Sequence, residues 1–472
     1  MKLYIITLLA LLSVIACKNN SDDALDSAYF GGEIINPNND YVLLYSPKEE
    51  LDTLYLNNQN RFFIKVKHVE PGLYTFTHGG EYQMVLLEPK DSIMLRLNTI
   101  DFDESLVFTG NGAKKNNFLI KNFLENETEQ QNFINLSQLN PEQFDRYSDS
   151  SRVEKLNELS TFSENKELSD LFETIAKTSI NYNYYANKER YPFGYFGYKN
   201  LRDYKNLPEN FYAYRKDINY NIGCLSDFYI YNRFLYSHFN NIALDAFYKN
   251  APENAMFNRE SLVYNLEKLN LMDSLITNET IKNNLLKNTT QDFISMGDDS
   301  IANEKIINSF LEKSSNTSDK DYIKGLVIAI KNLKPGKPLP NIKLINYNEV
   351  EFNLNTLITK PTVIYFWSSN LKTHYRNSHY KVKELKAKYP NINFIAININ
   401  DNDKKYWKKT LDDFKFPTTN EYQFKYPEEG KQTFVINTVS KVILVNKDLK
   451  IVDSNYNIFH SDFEEQLKKL NQ

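Results

Sequence analysis

The sequence is poor in the residues that most often carry chemistry. It has two cysteines, Cys17 and Cys224, six histidines and two tryptophans in 472 residues. No Ser–His–Asp grouping and no Gly-rich phosphate loop is recognisable. No repeat of fixed period is evident. The formal net charge is −4, which leaves no case for nucleic acid as a partner. The apolar run Leu3–Ile15 is shorter than the roughly 18–20 residues a spanning helix needs. Aromatics, by contrast, are abundant at 14%, with 33 tyrosines, enough for large cores or for surfaces that stack on sugars.

Met1 to Cys17 reads as a processing segment, with Lys2 as its positive start. Its end, Ser13-Val14-Ile15-Ala16-Cys17, resembles a lipoprotein signal, which implies cleavage before Cys17 and acylation of its thiol. Several acyl chains on one N-terminus anchor a protein stably to a membrane. The partners expected are therefore the membrane, through the N-terminal lipid, and an outer-membrane protein. Residues 17–27 then serve as a tether. Lys18 and the acidic residues after it also resemble the surface-sorting signal of Bacteroidota lipoproteins, so the periplasmic leaflet and the cell surface both stay open. With Cys17 blocked, Cys224 stands alone. No internal disulfide and no two-cysteine redox cycle can then form. Cys224 lies in a Tyr-rich helical stretch and is expected to be a buried structural thiol.

The rest is too long for one core, and the expected class is multidomain α+β. Residues 28–112 carry short alternating runs at Tyr41–Tyr45, Phe62–Val66, Leu73–Thr77, Tyr82–Leu87 and Ser92–Leu97, separated by turn residues. They predict a small β-sandwich or barrel. Glu70-Pro71-Gly72-Leu73-Tyr74, Leu87-Glu88-Pro89-Lys90-Asp91-Ser92-Ile93 and Phe108-Thr109-Gly110 resemble a β-rich domain of unassigned function. That domain precedes thioredoxin-like domains in Bacteroidota lipoproteins.

Residues 113–333 show helical periodicity. Leu168, Leu171, Phe172, Ile175 and Tyr182 form one apolar face, and Ser318–Asp321 offers caps before a helix at Tyr322–Leu333. Seven or eight helices are expected. The aromatic stretch Asn181–Phe247 reads either as amphipathic helix faces or as a platform for glycan or peptide.

Residues 334–472 open on a Pro-rich joint, Lys334–Pro340, then alternate strands and helices. A hairpin is expected first, then a buried strand at Pro361–Trp367, a helix at Leu371–Lys388 and a strand at Asn393–Asn398. Trp407 is expected in the core, and Ser461–Glu464 as a capping box. The order is similar to that of the TlpA/ResA-type thiol–disulfide oxidoreductases, whose redox phrase reads FW-x-x-W-C-x-x-C-R. Phe366 and Trp367 are present, but the two cysteine positions fall on Leu371 and His374. The family's cis-proline position falls on Ser440, where a cis bond would cost roughly 2.5–4 kcal/mol, so a trans peptide is expected. Neither Leu371 nor His374 can supply the low-pKa thiolate or the resolving thiol. His374 and His379 are five residues apart, about 140° around a helix, which argues against a metal site and for surface or helix-cap histidines.

The resemblance therefore implies a thioredoxin-like scaffold without its redox centre. No catalytic residue, cofactor or metal is expected. The former active-site face, with Trp367, Leu371, His374, Val439 and Ser440, is the candidate binding surface. The reading is a binding or assembly lipoprotein of the outer membrane. Its alternatives are a TlpA/ResA-type oxidoreductase, acting through Cys224 or a partner's cysteine, and a surface glycan- or peptide-binding protein.

Overall fold

The computed structural model describes residues 26–46, 50–164, 166–296, 299–400 and 404–470. The expected signal segment, Cys17 and most of the expected tether lie outside them. The chain divides into two compact units, one ending at Asn258 and one running from Arg259.

The first unit begins with two four-stranded sheets. One has the order β4-β1-β7-β8, from β1 (Ala28–Ile35), β4 (Arg61–Val66), β7 (Ser92–Asn98) and β8 (Val107–Asn111). The other has the order β3-β2-β5-β6, from β2 (Tyr41–Tyr45), β3 (Glu50–Tyr55), β5 (Gly72–His78) and β6 (Glu81–Leu87). The alternating inward residues of both sheets, among them Phe30, Leu44, Phe76, Val85 and Leu95, meet in one core.

Strand β1 was not among the expected runs, because Gly31 and Gly32 break its apolar pattern. They sit where neighbouring backbones close in. A Cβ at Gly32 would lie 2.3 Å from the Leu95 carbonyl oxygen, on the strand paired beside it. G32A is accordingly expected to destabilise the first unit by about 1–3 kcal/mol, read as a lower urea midpoint with unchanged slope.

Four long helices complete this unit: α1 (Ala113–Gln131), α2 (Pro141–Ser163), α3 (Asp170–Tyr195) and α4 (Tyr229–Ile242). A capping box opens α2. The Asn140 side chain accepts from the Gln143 N–H, Gln143 returns the bond, and Pro141 fills the first turn. Ser169 caps α3. The face expected on α3 is the one that is buried, with Phe172, Ile175 and Tyr182 inside. Much of the aromatic stretch serves this core. Tyr184, Tyr185, Tyr191 and Tyr231 are buried, and Tyr185 stacks on Tyr214 at 4.4 Å. Those rings are therefore not available as a platform, although Tyr195, Tyr198 and Tyr229 are exposed.

The second unit holds α5 (Leu262–Leu275), α6 (Glu279–Met296), α7 (Ser300–Lys313) and α8 (Thr317–Asn332), then a seven-stranded sheet with its helices. The expected joint at 333/334 falls inside the second unit. The Pro-rich segment is bound into the second unit by the Gly336 N–H on the Ile451 carbonyl (2.8 Å) and the Leu339 N–H on the Leu449 carbonyl (2.8 Å). Helix α8 also starts earlier than expected, because Asn316, not the Ser318–Asp321 group, accepts the capping N–H from Asp319.

The sheet order is β10-β9-β13-β12-β11-β14-β15. Its strands are β9 (Lys343–Asn346), β10 (Glu351–Asn353), β11 (Thr362–Trp367), β12 (Asn393–Asn398), β13 (Glu421–Phe424), β14 (Lys441–Val445) and β15 (Ile451–Asn457). Helix α9 (Lys372–Lys388) crosses β11 and β12, with α10 (Lys404–Asp413), α11 (Pro427–Thr433) and α12 (Phe463–Leu470) following. All six residues of β11 are buried, between β12, parallel, and β14, antiparallel. Cover on both faces is what makes this strand an unbroken apolar run. Trp407 is fully buried in the same core. Among the described residues, no helix is long and apolar enough to cross a membrane.

Candidate functional site

Strand β11 delivers the chain into the loop Ser368–Leu371, where α9 begins. Leu371 is the N-cap residue (φ −112°, ψ 74°), with no side-chain cap, and its N–H donates to the Ser368 carbonyl at 3.1 Å. Buried polar groups from the neighbouring strands hold this loop. Asn398 Nδ2 donates to Ser369 Oγ at 3.0 Å, and the Ser369 N–H donates to Asn400 Oδ1 at 2.7 Å. Gln423 Nε2 donates to Asn398 Oδ1 at 3.3 Å. The loop is thus pinned from the ends of β12 and β13, where backbone donors and acceptors would otherwise need solvent.

The five residues expected to share one surface part company. Trp367 is 0% exposed, its indole packed edge-on against Tyr375 and His379, so it supports the face and does not form it. Leu371 is 42% exposed. His374, Val439 and Ser440 are half-buried. The turn after β15 brings His374 and Ser440 to its two sides. The Ile458 N–H donates to the Ser440 carbonyl at 3.0 Å, and the ring of Phe459 packs edge-on to His374 at 5.6 Å. Phe459 is itself exposed, and so extends the face. The peptide before Ser440 is trans. Burial, with a smaller push from His379, drives His374 down to about 4, so its ring is neutral near pH 7. Neither ring nitrogen has a hydrogen-bond partner among the described residues.

His379 is neither a surface nor a capping residue, which corrects the expectation. It is buried on α9, stacked on Phe416 at 4.1 Å. Its Nδ1 faces the Tyr375 carbonyl at 2.7 Å and its Nε2 faces Glu421 Oε1 at 3.0 Å. A carbonyl can only accept, so Nδ1 carries a proton. The contact to Glu421 then needs one more proton, on Nε2 or on the carboxyl. The Tyr365 hydroxyl also faces Glu421 Oε1, at 3.4 Å, and Oε2 has no partner. Sequence reading passed over Glu421 because it lies in β13, a strand with no alternating signal.

No thiol lies at this face, at Leu371 or at His374. The free cysteine of the described residues, Cys224, belongs to the first unit and is exposed, not buried as expected. It sits in the short turn Gly223–Leu225, where Leu225 takes the inward position. Among the described residues, no three His, Cys, Asp or Glu side chains gather as a metal site.

Residues 359–451 match a family model described as Thioredoxin-like. No curated protein matches the chain in sequence. Among solved structures, the chain is similar to the thioredoxin domain of a thiol-disulfide oxidoreductase from Bacteroides vulgatus, at 19% identity. That match covers 30% of this chain and 99% of the other, with a TM-score of 0.25. It is also similar to a thiol:disulfide interchange protein from Bacteroides sp., at 20% identity, over 29% of this chain and 90% of the other, with a TM-score of 0.25. The chain is a multidomain α+β protein whose C-terminal part is a thioredoxin-like domain.

Proposed function

We propose that this chain is an envelope lipoprotein, anchored through Cys17 in the outer membrane, whose thioredoxin-like domain binds a protein partner and does no redox chemistry. One observation carries the reading: an exposed leucine, Leu371, occupies the helix N-cap where a thiolate nucleophile would have to stand. Leu371, Val439, Ser440 and Phe459 are its contact face, and an outer-membrane uptake or assembly complex is its partner. A fold alone does not carry a function, so the test is made at the face.

The full chain is expected to give no insulin reduction above buffer. Crosslinking in mildly solubilised envelopes is expected to capture an outer-membrane protein, and L371D should abolish that capture. The exposure of Cys224 favours a second reading, in which its thiolate attacks a partner's disulfide, forms a mixed disulfide and releases the partner's other sulfur as thiolate. With a small thiol present to resolve the mixed disulfide and regenerate Cys224, turnover that disappears in C224S would replace the first reading with this one.

A further inference from the structure

The first unit contains a cavity of about 390 Å³, within the range of small-molecule sites. It lies between β6, α1, α3 and the turn leading into α4. Its walls are apolar, with Leu73, Met84, Ile120, Phe123, Ile175 and Ile230 among them. Four carboxylates line it, Glu81, Asp103, Glu127 and Asp227, and no lysine or arginine does. None of the four has an ion-pair partner among the described residues. Gln83, buried in the cavity wall, donates from Nε2 to Asp103 Oδ1 at 3.0 Å. Ser179 lies buried in the opposite wall. Its Oγ accepts from Asn126, and its own proton has no acceptor among the described residues.

The electrostatics are one-sided. Burial pushes the Asp103 carboxyl up to about 6, against the hydrogen bond from Gln83, and the charges of Glu127, Glu104 and Glu81 push it further the same way. A cation entering here would relieve that repulsion, and an apolar stem behind it would bury against the walls. An anion would meet four like charges. A wholly apolar ligand would leave the carboxylates facing it without partners.

We propose that this cavity binds a positively charged amine or guanidinium group carried on an apolar stem. That chemistry is shared by the side chain of a lysine- or arginine-bearing peptide and by a free alkyl diamine. The site lies in a different unit from the thioredoxin-like face and does not depend on the reading given for that face.

The test is calorimetric titration of the full chain with four probes: 1,8-diaminooctane, the uncharged 1,8-octanediol, a Leu-Lys-Leu tripeptide blocked at both ends, and its Leu-Gln-Leu counterpart. The amines should bind, and the diol and the glutamine peptide should bind at least about tenfold more weakly, as expected for loss of a charged hydrogen bond. D103N and E127Q should each weaken the amines about tenfold, with native circular dichroism retained. M84W, which fills the cavity without changing its charge, should abolish binding of all four. A tighter peptide identifies a protein ligand, and a tighter diamine a free amine. Equal binding of charged and neutral probes, no binding by either amine, or amine affinity unchanged in M84W overturns the proposal.

Discussion

Replacing Glu189 by leucine is expected to destabilise the first unit by about 3–5 kcal/mol, the usual cost of leaving buried charge without its partner. Glu189 is fully buried on α3. Its carboxylate accepts from Arg215 Nε at 2.9 Å and Nη2 at 2.5 Å, and pairs with His238 Nδ1 at 2.7 Å. Arg215 comes from the turn Ala213–Asp217 and His238 from α4, so one carboxylate ties three segments together. Burial alone would raise its pKa. The charges of His238 and Arg215, and the hydrogen bonds from both, outweigh burial and hold it below the ordinary 4.5.

The sign of the pH effect follows. A carboxyl whose folded pKa is depressed contributes stability that is fully present above its unfolded pKa and is lost as pH falls through the folded value. The stability gap between wild type and E189Q should therefore be widest above pH 4.5 and close as the solution is acidified below it. Amide hydrogen exchange in α3 and α4 of the full chain reads this directly. The triple variant E189L/R215M/H238F should recover most of the loss, because replacing a whole buried ionic group by apolar side chains is close to neutral. Protection in E189L equal to wild type would mean that the network contributes nothing net.

The network could not be read from the sequence, because its members come together only when the helices pack. Glu189 and His238 are 49 residues apart, and nothing local to either marks the pair. Strand β11 shows the opposite case. Burial on both faces wrote it as an unbroken apolar run, and its position in the centre of the sheet could be expected from that run alone. The absence of thiols was equally legible, since Phe366 and Trp367 fix where the cysteines would stand. Trp367 was misplaced on the surface for a physical reason. A motif gives the order of residues, not the direction of a side chain, and this indole turns inward onto Tyr375 and His379. Strand β13 was missed because Glu421 and Gln423 occupy two of its four buried positions, and their partners lie on α9 and β12. The buried polar residues that gather under the loop are thus the part of the site that periodicity cannot show.

Replacing His379 by phenylalanine is expected to destabilise the second unit by about 1–3 kcal/mol, the usual cost of leaving a buried polar group without its partner. The new ring keeps the stack on Phe416, so packing changes little. Glu421, however, loses its contact with the imidazole, and keeps only the Tyr365 hydroxyl at 3.4 Å. Both tryptophans, Trp367 and Trp407, lie in the second unit, and Trp367 touches His379 at 5.0 Å, so tryptophan fluorescence during urea unfolding reports this unit alone. H379F should show a urea midpoint below that of the wild type, with unchanged slope. The variant Y365F/H379F/E421L, which removes all three polar side chains, should recover most of the loss. If H379F matches the wild type, the contact between His379 and Glu421 contributes nothing net. If the triple variant stays as low as H379F, the loss does not come from the unpaired carboxylate.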